Sequence, residues 1–202
     1  MMAKKHIPIA AVLILILLFS GCGKPVSRQN IIAPIELTED QQEIVDLLSS
    51  NTKQELLFFT YQVDAEYRAM DVWAEVYKDG ELVEAHAGGI SMLDPQDRFQ
   101  GDLAIVITQN PDFQWTFVVK EGGSKATSTG QSDLHIDAMG GRAYGPILDP
   151  VAIEDGKEII LYTSVFSSDN VLRTYDAQTL EEEPERLQQY DYAHIIKCRL
   201  SK

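Results

Sequence analysis

Val72-Trp73-Ala74-Glu75-Val76-Tyr77-Lys78-Asp79-Gly80-Glu81-Leu82-Val83-Glu84-Ala85-His86-Ala87 reads as two strands joined by a tight turn. Apolar and polar residues alternate on both sides of Asp79-Gly80, the period expected when successive side chains point to opposite faces of a sheet. An Asp-Gly pair suits a two-residue hairpin turn, because both positions need positive φ to match the twist of the flanking strands. Such a turn would set Tyr77 opposite Leu82, Val76 opposite Val83, Glu75 opposite Glu84 and Trp73 opposite His86. Val72, Ala74, Val76, Val83, Ala85 and Ala87 then form a plain core face. The other face carries Trp73, Glu75, Tyr77, Glu84 and His86.

The same period runs through most of the chain. Strands are expected at 54–63, 69–78, 81–88, 102–109, 113–120, 132–138, 158–167 and 190–200. Turn residues separate them at Asn110-Pro111-Asp112, Glu121-Gly122-Gly123 and Asp155-Gly156, and no βαβ alternation appears. Phe113, Trp115, Phe117 and Val119 fall on one side of their strand and read as core. These signs give a mainly β fold, an antiparallel sandwich or an open barrel, in a single domain over 38–202. One helix precedes the strands: Thr38 caps it, Gln41 completes a capping box, and Ile44, Leu47 and Leu48 make an apolar face that should lie on the core. A second, short helix should start at Pro184 and run to Gln189. Residues 139–157 and 168–189 read as long irregular connections, which often carry function.

The amino-terminal region is different in kind. Lys4 and Lys5 precede an apolar run from Ile7 to Phe19, of signal-peptide length and too short to span a bilayer comfortably. Ser20-Gly21-Cys22 closes it. Phe19-Ser20-Gly21-Cys22 resembles the lipobox of bacterial lipoproteins, with Phe19 where that family commonly has Leu. The resemblance implies cleavage after residue 21 and a diacylglycerol on the Cys22 thiol. Two acyl chains hold a protein stably where one does so only marginally. It also implies an extracytoplasmic, membrane-anchored protein, with 22–37 as lipidated cysteine and flexible tether. Gly23 rather than Asp after the cysteine implies, for a host with two membranes, that no inner-membrane retention signal is present.

The chain carries a formal charge of −14, and removal of residues 1–21 leaves 15 basic against 31 acidic side chains, −16. A body this acidic lacks the basic footprint that nucleic acid requires and would stand away from anionic head groups. With Cys22 lipidated, Cys198 has no intramolecular partner; alternation sets it beside His194, Ile196 and Leu200 on an apolar face, as a buried, inert thiol.

Three constellations could carry chemistry. Glu75 and Glu84, if opposed, repel unless compensated, and with His86 they could hold a divalent cation. Trp73 and Tyr77 form an aromatic platform for a glycan or protein if uncovered, and core if the helix covers them. Ser50-Asn51-Thr52-Lys53 and Ser168-Asp169-Asn170 match two patterns of the penicillin-recognising serine enzymes. There the serine opens a buried helix, whereas Ser50 falls at a helix end, and no K-T-G follows Asn170. His135 and His194 are single histidines on strands and read as structural. No zinc spacing, phosphate loop or nucleophile elbow is present. The reading is therefore a non-enzymatic binding module of the cell envelope, for an envelope protein or glycan. The alternatives are an envelope hydrolase with an acid or metal site and a structural component of an envelope complex.

Overall fold

The computed structural model describes residues 30–49, 54–93, 99–109, 112–132, 141–168 and 172–202. In chain order they form β1 (Ile31–Pro34), α1 (Glu39–Ser49), β2 (Gln54–Val63), β3 (Ala69–Lys78), β4 (Glu81–Leu93), β5 (Phe99–Gln109) and β6 (Phe113–Glu121). Then come β7 (Ser124–Gln131), β8 (Gly141–Pro146), β9 (Val151–Ala152), β10 (Glu158–Ser167), α2 (Ala177–Glu182), a 3-10 helix (Pro184–Gln189) and β11 (Tyr192–Ser201). Two antiparallel sheets pack face to face, ordered β7-β6-β5-β2-β1-β9 and β4-β3-β11-β10-β8.

The inner faces supply the main core. From the first sheet come Phe59, Tyr61, Leu103, Ile105, Trp115 and Phe117; from the second come Val72, Val76, Leu161, Ile196, Cys198 and Leu200. The alternation legible in β3, β6 and β11 therefore faces inward, as expected of sheets buried on one side. The second sheet is also covered on its outer face. Ile160, Val165, Ala193 and Ile195 meet Leu180 of α2 and Leu187 of the 3-10 helix in a smaller apolar cluster. Asp176 caps α2 by accepting from the Thr179 amide at 2.7 Å. Pro184 opens the 3-10 helix at the place where its missing N–H costs nothing. That short helix and the capping box of α1 match the sequence reading: the Thr38 amide donates to Gln41 Oε1 at 2.9 Å, and the Gln41 amide to Thr38 Oγ1 at 3.4 Å.

Several expectations are corrected. The folded unit begins by Ile31, not at 38, because β1 pairs with both β2 and β9 and buries Ile32 completely. Four residues containing a proline give no period to read, so the strand passed for tether. The connection 139–157 contains β8 and β9, and the connection 168–189 contains α2. β7 was missed because Ser124-Lys125-Ala126-Thr127-Ser128 presents no apolar alternation. The expected strand at 132–138 lies almost wholly outside the described residues. The apolar face of α1 does not lie on the core: Ile44, Leu47 and Leu48 are 58%, 76% and 60% exposed.

The hairpin keeps the expected register for only its first two pairs. Asp79 and Gly80 both take positive φ, 51° and 80°, and Tyr77 sits opposite Leu82. Then β4 bulges. Val76 pairs with Glu84, and Ala74 with Gly88, so β4 carries three more residues than β3 over this stretch. Each bulge bends the strand and increases its twist. The bend brings β4 against β7 of the opposite sheet, where a Cβ on Gly130 would lie 2.2 Å from the Gly88 Cα and 2.3 Å from the Ala87 carbonyl oxygen. Only two glycines allow backbones so close. One side of the sandwich is thus sealed by main chain. At the other side β8 and β9 end their sheets, and Ile147–Pro150 joins them.

Candidate functional site

The expected cation site is not assembled. Past the bulge Glu75 no longer faces Glu84, and its carboxylate lies in the outer face of the second sheet, 6% exposed. It accepts from Trp73 Nε1 at 2.9 Å and the Tyr77 hydroxyl at 2.6 Å, and pairs with Lys197 Nζ at 2.9 Å. Lys197 also reaches Glu158 at 3.0 Å. Burial alone would raise the Glu75 pKa, but hydrogen bonds from Tyr77, Trp73 and Lys197 outweigh it and hold the carboxyl below its ordinary range. Burial by itself would lower Lys197; its carboxylate partners instead lift it to about 12. Glu84 is engaged elsewhere, accepting from Ser132 Oγ at 2.8 Å. Among the described residues no group of three or more His, Cys, Asp or Glu could hold a metal ion.

Of the two alternatives for Trp73 the structure takes the covered one, with a different cover. Trp73 is buried, beneath the Arg199 guanidinium (5.5 Å from the ring) and the His86 ring (5.8 Å), not beneath α1. Tyr77 is committed to Glu75, and burial followed by that carboxylate pushes its hydroxyl up to about 12. Cys198 is fully buried, and desolvation raises its thiol far above the ordinary range, so the reading of an inert thiol agrees with the geometry. Cys22, His135, Ser50, Lys53, Asp169 and Asn170 lie outside the described residues.

Sequence reasoning missed a polar cluster inside the open end of the sandwich. Arg142 of β8 spans the two sheets to Glu55 of β2 at 2.6 Å. Its Nε donates to Ser164 Oγ at 2.9 Å, and its Nη2 to the Tyr162 hydroxyl at 3.0 Å, which donates in turn to Glu55 at 2.5 Å. The guanidinium also lies 4.3 Å from the centre of the Tyr144 ring and 5.4 Å from those of Phe113 and Phe166. Beneath it, His194 is 1% exposed, and among the described residues neither ring nitrogen has a hydrogen-bond partner. The ring sits edge-on among Phe113, Trp115 and Phe166, with centroids 4.4–5.4 Å away. Desolvation, aided by the Arg142 charge, lowers its pKa to about 3. The histidine is packed as part of the core; the ion pair above it was unreadable because Glu55 and Arg142 are 87 positions apart.

Outside this cluster the open side carries a groove of about 950 Å³. Its floor is the outer face of β8 and β10: Ala143, Gly145, Ile160, Thr163 and Val165. One wall is Thr174–Gln178 with Glu181 and Glu182, and the other is Leu148–Ala152 with Glu154 and Lys157. A bulge at Leu161 shapes the floor, and the Ile160 amide beside it donates to the Glu181 carboxylate at 2.8 Å. Small residues below and carboxylates above give a shallow, acidic trough of the size that ligand sites occupy.

A family model described as the YgaN domain matches residues 31–200. The chain belongs to the YgaN-domain family. No curated protein and no solved structure matches it. The limits of the YgaN domain coincide with the sandwich: the match opens at the first residue of β1 and ends one residue before the close of β11. Both the groove and the Arg142–Glu55 bridge lie within the matched residues.

Proposed function

We propose that the protein is a lipid-anchored, extracytoplasmic lipoprotein whose YgaN domain is a non-enzymatic binding module of the cell envelope. The observation that carries this reading is the succession in the sequence of Lys4-Lys5, Ile7 to Phe19, and Ser20-Gly21-Cys22, followed nine residues later by β1. A diacylglycerol on Cys22 would hold the domain close to the bilayer. Eight peptide units separate Cys22 from Asn30, and at ~3.3–3.6 Å each they reach no more than about 29 Å. The acidic body opposes direct adsorption to anionic lipid, so the surface it offers is turned toward protein partners rather than head groups. The groove beside β8 is the surface with the shape for that task.

Two measurements test the reading. Radiolabelled palmitate should enter the wild type, and Cys22→Ala should lose the label and leave the membrane fraction; equal labelling of both would reject the anchor. A photo-cross-linking residue at Leu148, which is 83% exposed at the groove's rim, should capture an envelope protein in native membranes. The same probe at Leu47, on the far helix, should not; equal yields from both sites would reject the groove as the binding surface.

A further inference from the structure

Ala143, Tyr144, Gly145 and Pro146 all line the groove, although successive residues of a strand point to opposite faces. The groove therefore wraps around the edge of β8, not over one face of it. β8 is the last strand of its sheet, and among the described residues it pairs only with β10. Edge strands are ordinarily blunted by charge, bulge or cover. At its ends β8 carries Arg142, committed to Glu55, and Pro146; between them Ala143, Tyr144 and Gly145 bear no charge, β8 pairs with β10 without a register shift, and the place where a Gly145 side chain would stand has nothing within 4 Å. Tyr144 is 58% exposed beside it.

The charge around this edge is one-sided. Asp149, Glu154, Asp176, Glu181 and Glu182 line the groove against the single cation Lys157, which Glu154 already holds at 3.2 Å. Glu181 and Asp176 each accept a backbone N–H, which fixes the place of their side chains. Asp176 is held below the ordinary range by its bonds to Thr179. An open strand edge selects an extended main chain, and an acidic trough selects basic side chains on it.

We infer that the β8 edge receives an extended lysine- or arginine-bearing peptide segment of a partner protein, added to the second sheet as a further strand with alternate basic side chains in the groove. The inference rests on the binding-module reading and names the chemistry of the partner. Main-chain hydrogen bonds to β8 supply the affinity, and the carboxylates supply selectivity and salt sensitivity.

The test uses the full-length protein in neutral detergent and the fluorescence anisotropy of a labelled eight-residue peptide alternating valine and lysine. Binding should weaken at least fivefold on raising salt from 50 to 300 mM, values chosen to shorten the Debye length. The same peptide with glutamate for lysine, and the lysine peptide N-methylated at alternate residues, should each bind at least tenfold more weakly. The double variant Glu154→Lys/Glu182→Lys should lose at least fivefold while keeping the wild-type circular dichroism spectrum. Equal binding of the N-methylated peptide would overturn strand addition, and equal binding of the glutamate peptide or of the double variant would overturn the charge argument. If the lysine peptide fails while Leu148 still cross-links a partner, this inference falls and the binding reading stands; if neither occurs, both fall.

Discussion

The two sides of the sandwich are closed by different means. At β4 and β7 main chain meets main chain: Gly88 and Gly130 leave no space for a Cβ, and Ser132 ties the end of β7 to Glu84. At β8 and β9 nothing of the kind occurs. The sheets are joined there by a short connection plugged by Ile147 and Ile153, and by the side chains of Arg142 and Glu55. A backbone seam excludes everything, ligands included. A side-chain bridge keeps the sheets in register and leaves the strand edge beyond it accessible. The first side is a closed seam, and the second carries the groove.

The sharpest way to break this contrast is to give the sealed side a side chain. Gly130→Val would drive a branched group into the Gly88 backbone and the Ala87 carbonyl, neither of which can turn aside. A loss of about 5 kcal/mol or more in urea unfolding is expected, or failure to fold. Retention of wild-type stability would show that the seam is not a constraint.

His194 gives the next largest effect. Its folded pKa of about 3 lies below the 6.5 of an exposed histidine. Between those values the unfolded chain binds a proton that the folded chain refuses, so stability rises with pH across that window and is lost as pH falls from 6.5 toward 3. The full contribution is about 5 kcal/mol. His194→Leu should remove this part of the pH slope and be at least as stable as wild type at pH 7, since two unpartnered nitrogens disappear. Parallel unfolding free energies for the two proteins from pH 7 to 4 would contradict the assignment.

Arg142→Met tests the bridge. It leaves the Glu55 carboxylate largely desolvated beside Tyr162, and a loss of about 2–3 kcal/mol is expected, discounted for the partial exposure of the pair. Adding Glu55→Gln should recover at least half of it in a double-mutant cycle; simple additivity would deny the coupling. The smallest effect belongs to the open edge. Gly145→Ala meets nothing within 4 Å and has no positive φ to strain. A change within about 0.5 kcal/mol is expected, and a loss comparable to that at Gly130 would erase the distinction between the two sides.

Much of the architecture was legible. The strands beginning at Gln54, Ala69, Phe113 and Glu158 were bounded by turn residues, and their alternation faces inward. Illegible parts depend on partners distant in sequence. The β4 bulges accompany the fit of Gly88 against Gly130, which no local pattern encodes, and every pairing inferred beyond Tyr77 and Leu82 failed with them. That failure dissolved the expected Glu75–Glu84–His86 group. β8 escaped notice because Gly141-Arg142-Ala143-Tyr144-Gly145-Pro146 has the composition of a loop and becomes a strand only through β10. The groove it borders could not be foreseen from the chain either, since its walls come from segments about thirty residues apart.

β1 has a mechanical consequence. It is wedged between β2 and β9 and bonded to both, and it is the first described element of the chain. A tug along its axis at Asn30 loads two ladders in shear at once, where a peripheral strand would peel away one rung at a time. A pull at its leading end is therefore shared between the ladder to β2 and the shorter one to β9.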